Sequence, residues 1–248
     1  MPAIRTAIAR RPIASYLFIA FASTWAVTPL ISISVGFGLL ALFGPAVAAI
    51  IVSWAEGSGG VLRARITDWR HPLSRYAIAF GLPFTVAGGA VALYVLTGGT
   101  PPGLGTISAI ELVIFVLVIG EEIGWRGFLQ PRLRERMGLV PAGLATGAAW
   151  TLWHLPVYLA PGSVLAFAVF AWWVLPLAVV MGAVTERTRW SVVIATVMHG
   201  AANIASPILL PGVDRGWTLI ASGAIYLIIV AAIALRRTGR TGDAPRWR

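Results

Sequence analysis

Apolar stretches long enough to cross a lipid bilayer recur along almost the whole of this 248-residue chain. A membrane-spanning helix needs about 20 mostly apolar residues, because each residue advances the helix by about 1.5 Å. The composition agrees, since 58% of the residues are hydrophobic and only 11% are charged. The sequence therefore predicts an all-α, polytopic transmembrane helix bundle of about eight spans, forming one integral-membrane domain over residues 1–248. The predicted spans are 13–34, 35–54, 76–97, 106–129, 140–159, 164–185, 191–210 and 217–235.

The basic residues predict how this bundle is oriented. The formal net charge is +10, and every residue counted as lysine or arginine is an arginine. The arginines collect before the first span, in alternate connections and in the tail, which is typical of the cytoplasmic side. On the opposite side the connections GGTPPGLG and APGS are uncharged, and only Arg215 falls there. Both termini are therefore expected in the cytoplasm of a bacterium, with the positive charge facing anionic lipid of the inner membrane and not nucleic acid.

Two segments need a separate interpretation. The N-terminal arginines followed by an apolar run are similar to a signal sequence, but no small-residue cleavage site closes the run. It is therefore expected to stay in place as the first span. The longest connection, 56–75, is expected to lie on the inner membrane surface as an interfacial segment.

Several kinds of hydrolytic site need residues that the sequence lacks or places in connections. There is no cysteine, which excludes disulfides, thiolate zinc sites and a cysteine nucleophile. Neither a GxSxG serine motif nor an HExxH zinc helix is present. The aspartates lie in connections or the tail, so a pair of intramembrane aspartates is excluded as well; they are Asp68, Asp214 and Asp243.

The fourth predicted span ends in an unusual group of charges, Glu121, Glu122 and Arg126. A charge within the membrane costs about 2.5–3.5 kcal/mol on insertion scales, so each one needs a partner or a purpose. Glu122 and Arg126 are four residues apart, share a face of a helix and are expected to form a charge-assisted pair. Glu121 points about 100° away from them and is the carboxylate left free to react. Pro131 predicts that the helix kinks or ends nearby.

Two further spans each carry one polar cluster. Trp150 lies one turn before His154, and Pro156 predicts a distorted helix around that imidazole. His199 and Asn203 are again four residues apart and share a face. Either cluster alone is more typical of helix packing. Three spans with one such cluster each, however, indicate a shared cavity that opens to the cytoplasm.

A carboxylate, two imidazoles and an amide in one cavity suit the hydrolysis of a peptide bond. The glutamate would accept a proton from water while one histidine orients that water. The other histidine and the amide would donate to the oxyanion of the tetrahedral intermediate. Alternatively, Glu121, His154 and His199 would hold Zn²⁺ and leave its fourth position for water. The residues leave the zinc-dependent and the metal-free mechanisms both open.

These clusters resemble the motifs of the CPBP intramembrane proteases, also called the CAAX protease and Abi family. The resemblance covers about 106–210 and consists of EExxxR with its WRGFLQPRL continuation, then FxxxH, then HxxxN. Trp150 stands where the family usually has phenylalanine, which affects the shape of the pocket more than its chemistry. The resemblance implies an endopeptidase fold in which Glu122, Arg126 and Trp150 support the site.

The same resemblance implies a role for each remaining residue. Glu121 and His154 would activate water, while His199 and Asn203 would stabilise the oxyanion. Family members are commonly labelled metalloproteases, which keeps Zn²⁺ open. The substrate would be a membrane-associated peptide or protein tail, such as a bacteriocin-type peptide, in a maturation or immunity role.

Two functions of other classes are also compatible with the sequence. A non-catalytic membrane immunity or scaffold protein would keep the fold and bind a peptide or partner protein. An ion-coupled transporter would also use acidic and imidazole groups in helices, but it predicts an internal repeat with paired broken helices, and none is found.

Overall fold

The computed structural model describes residues 2–159 and 163–238, and these residues form helices and connections without any β-strand. The tail arginines Arg240, Arg246 and Arg248, and most of the APGS connection, lie outside the described residues. The predicted fold class, a bundle of apolar helices, is confirmed.

Short and long helices follow one another along the described chain. They are α1 (Pro2–Arg10), α2 (Pro12–Val27), α3 (Val35–Ala41), α4 (Gly44–Glu56), α5 (Gly59–Thr67), α6 (Leu73–Leu96), α7 (Ala109–Leu117), α8 (Ile119–Gly124), α9 (Gln130–Arg136), α10 (Leu139–Trp153), α11 (Leu155–Leu159), α12 (Val164–Glu186), α13 (Val192–Leu209) and α14 (Arg215–Thr238). A 3₁₀ segment (Thr28–Ser32) follows α2, and a π-helical turn (Trp125–Leu129) joins α8 to α9.

Six segments of the described chain are long and apolar enough to cross a membrane. They coincide with six of the eight predicted spans and are Pro12–Ser32, Gly36–Glu56, Leu73–Leu96, Val164–Glu186, Val192–Leu209 and Arg215–Arg236. The other two predicted spans, 106–129 and 140–159, are interrupted helices that contain two of the three polar clusters. The count of eight spans and the cytoplasmic position of the termini stay predictions.

Glycine lets the helix that carries the two glutamates pack closely against the N-terminal part of the bundle. A Cβ at Gly124 would lie 2.4 Å from Cβ of Pro45 and 2.5 Å from the hydroxyl of Tyr16. A Cβ at Gly120 would lie 2.8 Å from the carbonyl oxygen of Leu42. The two glycines are four residues apart and lie on one face of the helix, which allows this close approach. It places both carboxylates inside the protein and away from lipid.

The helix that leads to His154 is positioned in the same way. A Cβ at Gly143 would lie 2.6 Å from Cα of Val179, so α10 packs tightly on α12. Helix α10 ends at Trp153, and α11 begins at Leu155. The distortion predicted from Pro156 is thus located at His154 itself, which caps the end of α10.

Candidate active site

The two glutamates lie where the helix changes its winding. Helix α8 is followed by the π turn, in which the amide of Gln130 donates to the carbonyl of Trp125 five residues earlier. Pro131 has no amide hydrogen to donate within a regular α-helical turn, and a local change to π winding can accommodate a proline in a helix. The kink expected near this proline is therefore a wider turn directly after the EExxxR motif.

The predicted charge-assisted pair is present and completely buried. Nη1 of Arg126 donates to Oε1 of Glu122 at 2.9 Å, and both side chains have no exposed surface. Nη2 of Arg126 lies 3.2 Å from the sulfur of Met181, and the guanidinium lies 4.5 Å from the centre of the Trp150 ring. These contacts surround the cation with an anion, a soft acceptor and an aromatic face.

Glu122 has a second partner that spacing along the chain does not reveal. Nδ1 of His199 lies 2.8 Å from the same oxygen, Oε1 of Glu122. An ionised carboxylate only accepts hydrogen bonds, so the histidine donates through Nδ1. Glu122 therefore connects α8 to α13 and fixes the orientation of the His199 ring.

Trp150 connects the other glutamate to the other histidine. Its indole Nε1 donates to Oε2 of Glu121 at 2.7 Å. Its carbonyl oxygen lies 3.0 Å from Nδ1 of His154 and accepts that hydrogen bond. Its ring also meets the His199 ring edge to face, with centroids 4.9 Å apart. Trp150 thus holds the free carboxylate and both imidazoles around one indole.

The hydrogen bond at Nδ1 defines what His154 offers to a substrate. Since a carbonyl cannot donate, Nδ1 carries the hydrogen and Nε2 of the neutral ring is an acceptor. The ring is held edge to face by Trp153 and Phe170, at 4.6 Å and 4.8 Å between centroids. His154 is also close enough to interact electrostatically with Glu121 and His199.

Asn203 is the predicted residue that the structure connects least to the others. It lies on α13 one turn after His199 and is half-buried. Its amide makes no hydrogen bond with another described side chain. Glu121 and His199 are only 2% and 4% exposed. The predicted opening of the cavity to the cytoplasm stays a prediction.

Comparison with known proteins supports the resemblance of the motifs. Residues 103–205 match the family profile described as type II CAAX prenyl endopeptidase Rce1-like. The chain is also 24% identical over 167 residues to CAAX prenyl protease 2 of Methanococcus maripaludis, a match that covers 63% of this chain and 59% of that protein. Residues 103–205, which carry the motifs, are therefore similar to the core of this protease family. With its long apolar helices, the chain is an integral membrane protein.

Residues 103–205 contain all three motifs, which lie on the elements described above. EExxxR lies on α8 and the π turn, the aromatic-xxx-histidine motif at the end of α10, and HxxxN in the middle of α13. The exchange of the usual phenylalanine for Trp150 has a consequence beyond pocket shape. Phenylalanine has no donor, so the hydrogen bond to Glu121 depends on the tryptophan in this protein.

One buried residue near the CPBP motifs was not identified from the sequence. Tyr16 on α2 has no exposed surface, and its ring stacks on Phe128 of the π turn at 4.9 Å. It interacts electrostatically with Glu122 and Arg126, and its hydroxyl has no hydrogen-bond partner among the described residues. A lone tyrosine in an apolar span is a weak signal, since tyrosine is frequent in such helices.

The three candidate zinc ligands, Glu121, His154 and His199, do not form a compact group in the structure. Across residues 2–159 and 163–238, no group of three histidine, aspartate or glutamate side chains converges closely enough to hold a metal ion. Glu121 is bonded to the indole of Trp150, and Nδ1 of His199 to Glu122. The zinc arrangement of Glu121, His154 and His199 stays a prediction, and the mechanism below contains no metal step.

Proposed function

We propose that this protein is an intramembrane endopeptidase that hydrolyses a peptide bond in a membrane-associated protein or peptide. The proposal depends mainly on one observation. Trp150 binds Glu121 through its indole and His154 through its carbonyl, so a carboxylate and an unprotonated imidazole nitrogen are held by one residue. A base and a second acceptor on one rigid support are what the activation of a water molecule requires.

In the proposed first step, water donates one hydrogen to Glu121 and the other to Nε2 of His154. Oε2 of Glu121 already accepts from Trp150, so Oε1 receives the proton as the water oxygen attacks the carbonyl carbon. The protonated carboxyl then passes this proton to the nitrogen of the leaving amine. The peptide bond breaks, the remaining water proton leaves the new carboxyl group through Nε2 of His154, and the two products are a carboxylate and an amine.

The tetrahedral intermediate carries a negative oxygen that needs donors. Nδ1 of His199 donates a hydrogen bond to Glu122 and therefore carries a hydrogen. Nε2 can donate a second hydrogen bond only when the ring is doubly protonated. The negative charge of Glu122 offsets the positive charge of that ring, as the aspartate does for the histidine in serine proteases. The amide of Asn203 is proposed as the second, neutral donor.

The substrate is proposed to be held at the inner face of a bacterial membrane by an apolar segment or a lipid chain. The name of the Methanococcus protein, a prenyl protease, supports a lipid-modified tail. The arginine-rich connections support a site near the inner leaflet, where anionic headgroups lie. Such a protein would release a peptide from a membrane anchor or shorten a membrane-protein tail.

The proposal is tested with purified protein in vesicles and internally quenched peptides. One peptide carries a farnesylated C-terminal cysteine tail, and the other carries an apolar transmembrane segment. We expect wild-type protein to cleave at least one of them and Glu121→Gln to be slower by about 10²–10⁴-fold. Glu111→Gln is the matched control, because Glu111 only caps α7 through Ser108 and should leave the rate unchanged.

Two results would contradict this function. Cleavage that survives in Glu121→Gln would remove the proposed base. A cellular phenotype that survives in Glu121→Gln while cleavage is lost would favour the scaffold function, because binding and not hydrolysis would then be sufficient.

A further inference from the structure

The π turn after the glutamates contains a backbone oxygen that its own helix does not satisfy in the usual way. In a regular helix the amide of residue 131 would donate to the carbonyl of Gly127, but Pro131 has no amide hydrogen. A buried carbonyl without a donor is costly. Nη1 of Arg65 donates to this oxygen at 2.8 Å, across 62 positions of the chain.

Arg65 reaches this oxygen because α5 packs directly on the π turn. Leu62 of α5 is buried, and a Cβ at Gly127 would lie 3.3 Å from Cδ1 of Leu62 and 3.1 Å from Cγ2 of Val192. Both distances are shorter than ordinary van der Waals contacts, so glycine at this position lets α5, the π turn and the start of α13 pack closely. The helical part of the connection 56–75 packs against the protein, and the expected position of this connection on the membrane surface stays a prediction.

The residue that follows α5 contacts the beginning of α13. The carbonyl oxygen of Asp68 accepts a hydrogen bond from the hydroxyl of Ser191 at 2.5 Å. Its carboxylate forms an ion pair with Arg189 at 3.1 Å. Ser191 caps α13, and His199 lies about two turns further along the same helix. The segment 59–68 therefore contacts both the π turn that follows the two glutamates and the beginning of the helix that carries His199.

The position of Arg65 is unfavourable for a cation. Burial, and to a smaller extent the charge of Arg132, lowers the pKa of Arg65 to about 10. Arg63, two residues earlier on α5, is exposed. An arginine that served only to bind the membrane surface would be expected at an exposed position like that of Arg63, and not at a partly buried position like that of Arg65.

We propose that Arg65 is a positioning residue, which replaces the donor missing at Pro131 and so holds the π turn against α5 and α13. Through this contact it sets where Glu121 and Glu122 stand relative to His199. The inference rests on the proposed endopeptidase function for its kinetic consequence. Its structural consequence is that a hydrogen bond from Arg65 on α5 stabilises the π turn, and this does not depend on that function.

The test compares Arg65→Met with Arg63→Met in the full-length protein in vesicles. Amide hydrogen exchange of residues 119–136 is measured first, because it reports how well the π turn is held. We expect faster exchange in Arg65→Met, with Arg63→Met equal to wild type. With the quenched peptides, we expect kcat to fall about tenfold or more in Arg65→Met while KM stays within about twofold.

A second substitution asks whether the missing donor is the reason. Pro131→Ala returns an amide hydrogen to position 131, so Gly127 no longer needs Arg65. In this background, Arg65→Met should change neither hydrogen exchange nor kcat. Arg65→Lys, which keeps a donor, should restore part of both properties.

Three outcomes would overturn the inference. They are unchanged exchange in Arg65→Met, equal effects of Arg65→Met and Arg63→Met, and an effect of Arg65→Met that is as large with alanine at position 131 as with proline. If the wild type shows no cleavage that depends on Glu121, the proposed function fails, whereas the exchange measurements still decide the role of Arg65.

Discussion

Trp150 donates its indole hydrogen to Glu121 at 2.7 Å, although the two residues are 29 positions apart and lie on different helices. The hydrogen bond is buried, and hydrogen bonds to a charged group are among the stronger ones in proteins. The same residue also orients His154 through its carbonyl oxygen. The pairing explains why a carboxylate without a local cation is tolerated inside an apolar bundle.

Replacing Trp150 with phenylalanine tests this pairing. The variant keeps an aromatic ring and the carbonyl that orients His154, but it removes the donor to Glu121. A hydrogen bond to a charged group contributes about 1.5–3 kcal/mol, so we expect kcat to fall about 10- to 100-fold. Trp153→Phe is the control, because the buried Nε1 of Trp153 has no partner among the described residues. Equal rates in both variants would mean that the hydrogen bond does not contribute to catalysis.

Glu122 should contribute to stability more than any half-exposed acidic residue of the chain. It accepts from both Arg126 and His199 in a buried position. Removing one partner of a buried ion pair costs about 3–5 kcal/mol, so Glu122→Gln should lower the free energy of unfolding by about 3 kcal/mol. Glu186→Gln, which affects a half-exposed pair with Arg134, should cost less than about 1 kcal/mol. Denaturant titration in detergent compares the two, and similar losses would contradict the account.

The close packing of α8 predicts a steric effect at Gly124. Alanine there would place a methyl group 2.4 Å from Pro45, and overpacking of this kind costs about 1–3 kcal/mol. Gly88→Ala is the matched control, because a Cβ at Gly88 meets nothing within 4 Å. Thermal unfolding should therefore occur at a lower temperature in Gly124→Ala only. An unchanged unfolding temperature in Gly124→Ala would show that α4 and α8 do not pack this closely.

The arrangement of the candidate metal ligands favours hydrolysis without a metal ion. No three candidate ligands converge within the described residues. We expect purified protein to contain less than stoichiometric zinc by elemental analysis and to keep its activity after treatment with a chelator. Loss of activity that added Zn²⁺ restores would show that the zinc arrangement of Glu121, His154 and His199 forms during turnover.

Features that depend on local spacing were predictable from the sequence. The long helices follow from apolar runs, and the bond between Glu122 and Arg126 follows from their separation of four residues. The close approach at Gly120 and Gly124 follows from the same periodicity. The break at His154 follows from a nearby proline.

Features that depend on partners distant in the chain were not predictable in the same way. His199 pairs with Glu122, 77 positions away, because tertiary packing brings α13 beside α8. The π turn and the interruption of the fourth predicted span at Val118 also depend on packing. Arg65 looked like one of many surface arginines, and only the position of α5 distinguishes it.

The central claim is that Glu121 activates water and does not itself attack the peptide. A single turnover in H₂¹⁸O, followed by mass analysis of the newly formed carboxylate, tests this claim most directly. Water attack predicts one ¹⁸O atom in every product molecule and a turnover that is about 10²–10⁴-fold slower in Glu121→Gln. An unlabelled carboxylate after the first turnover would mean that an oxygen of the glutamate entered the product, and the account would then be wrong.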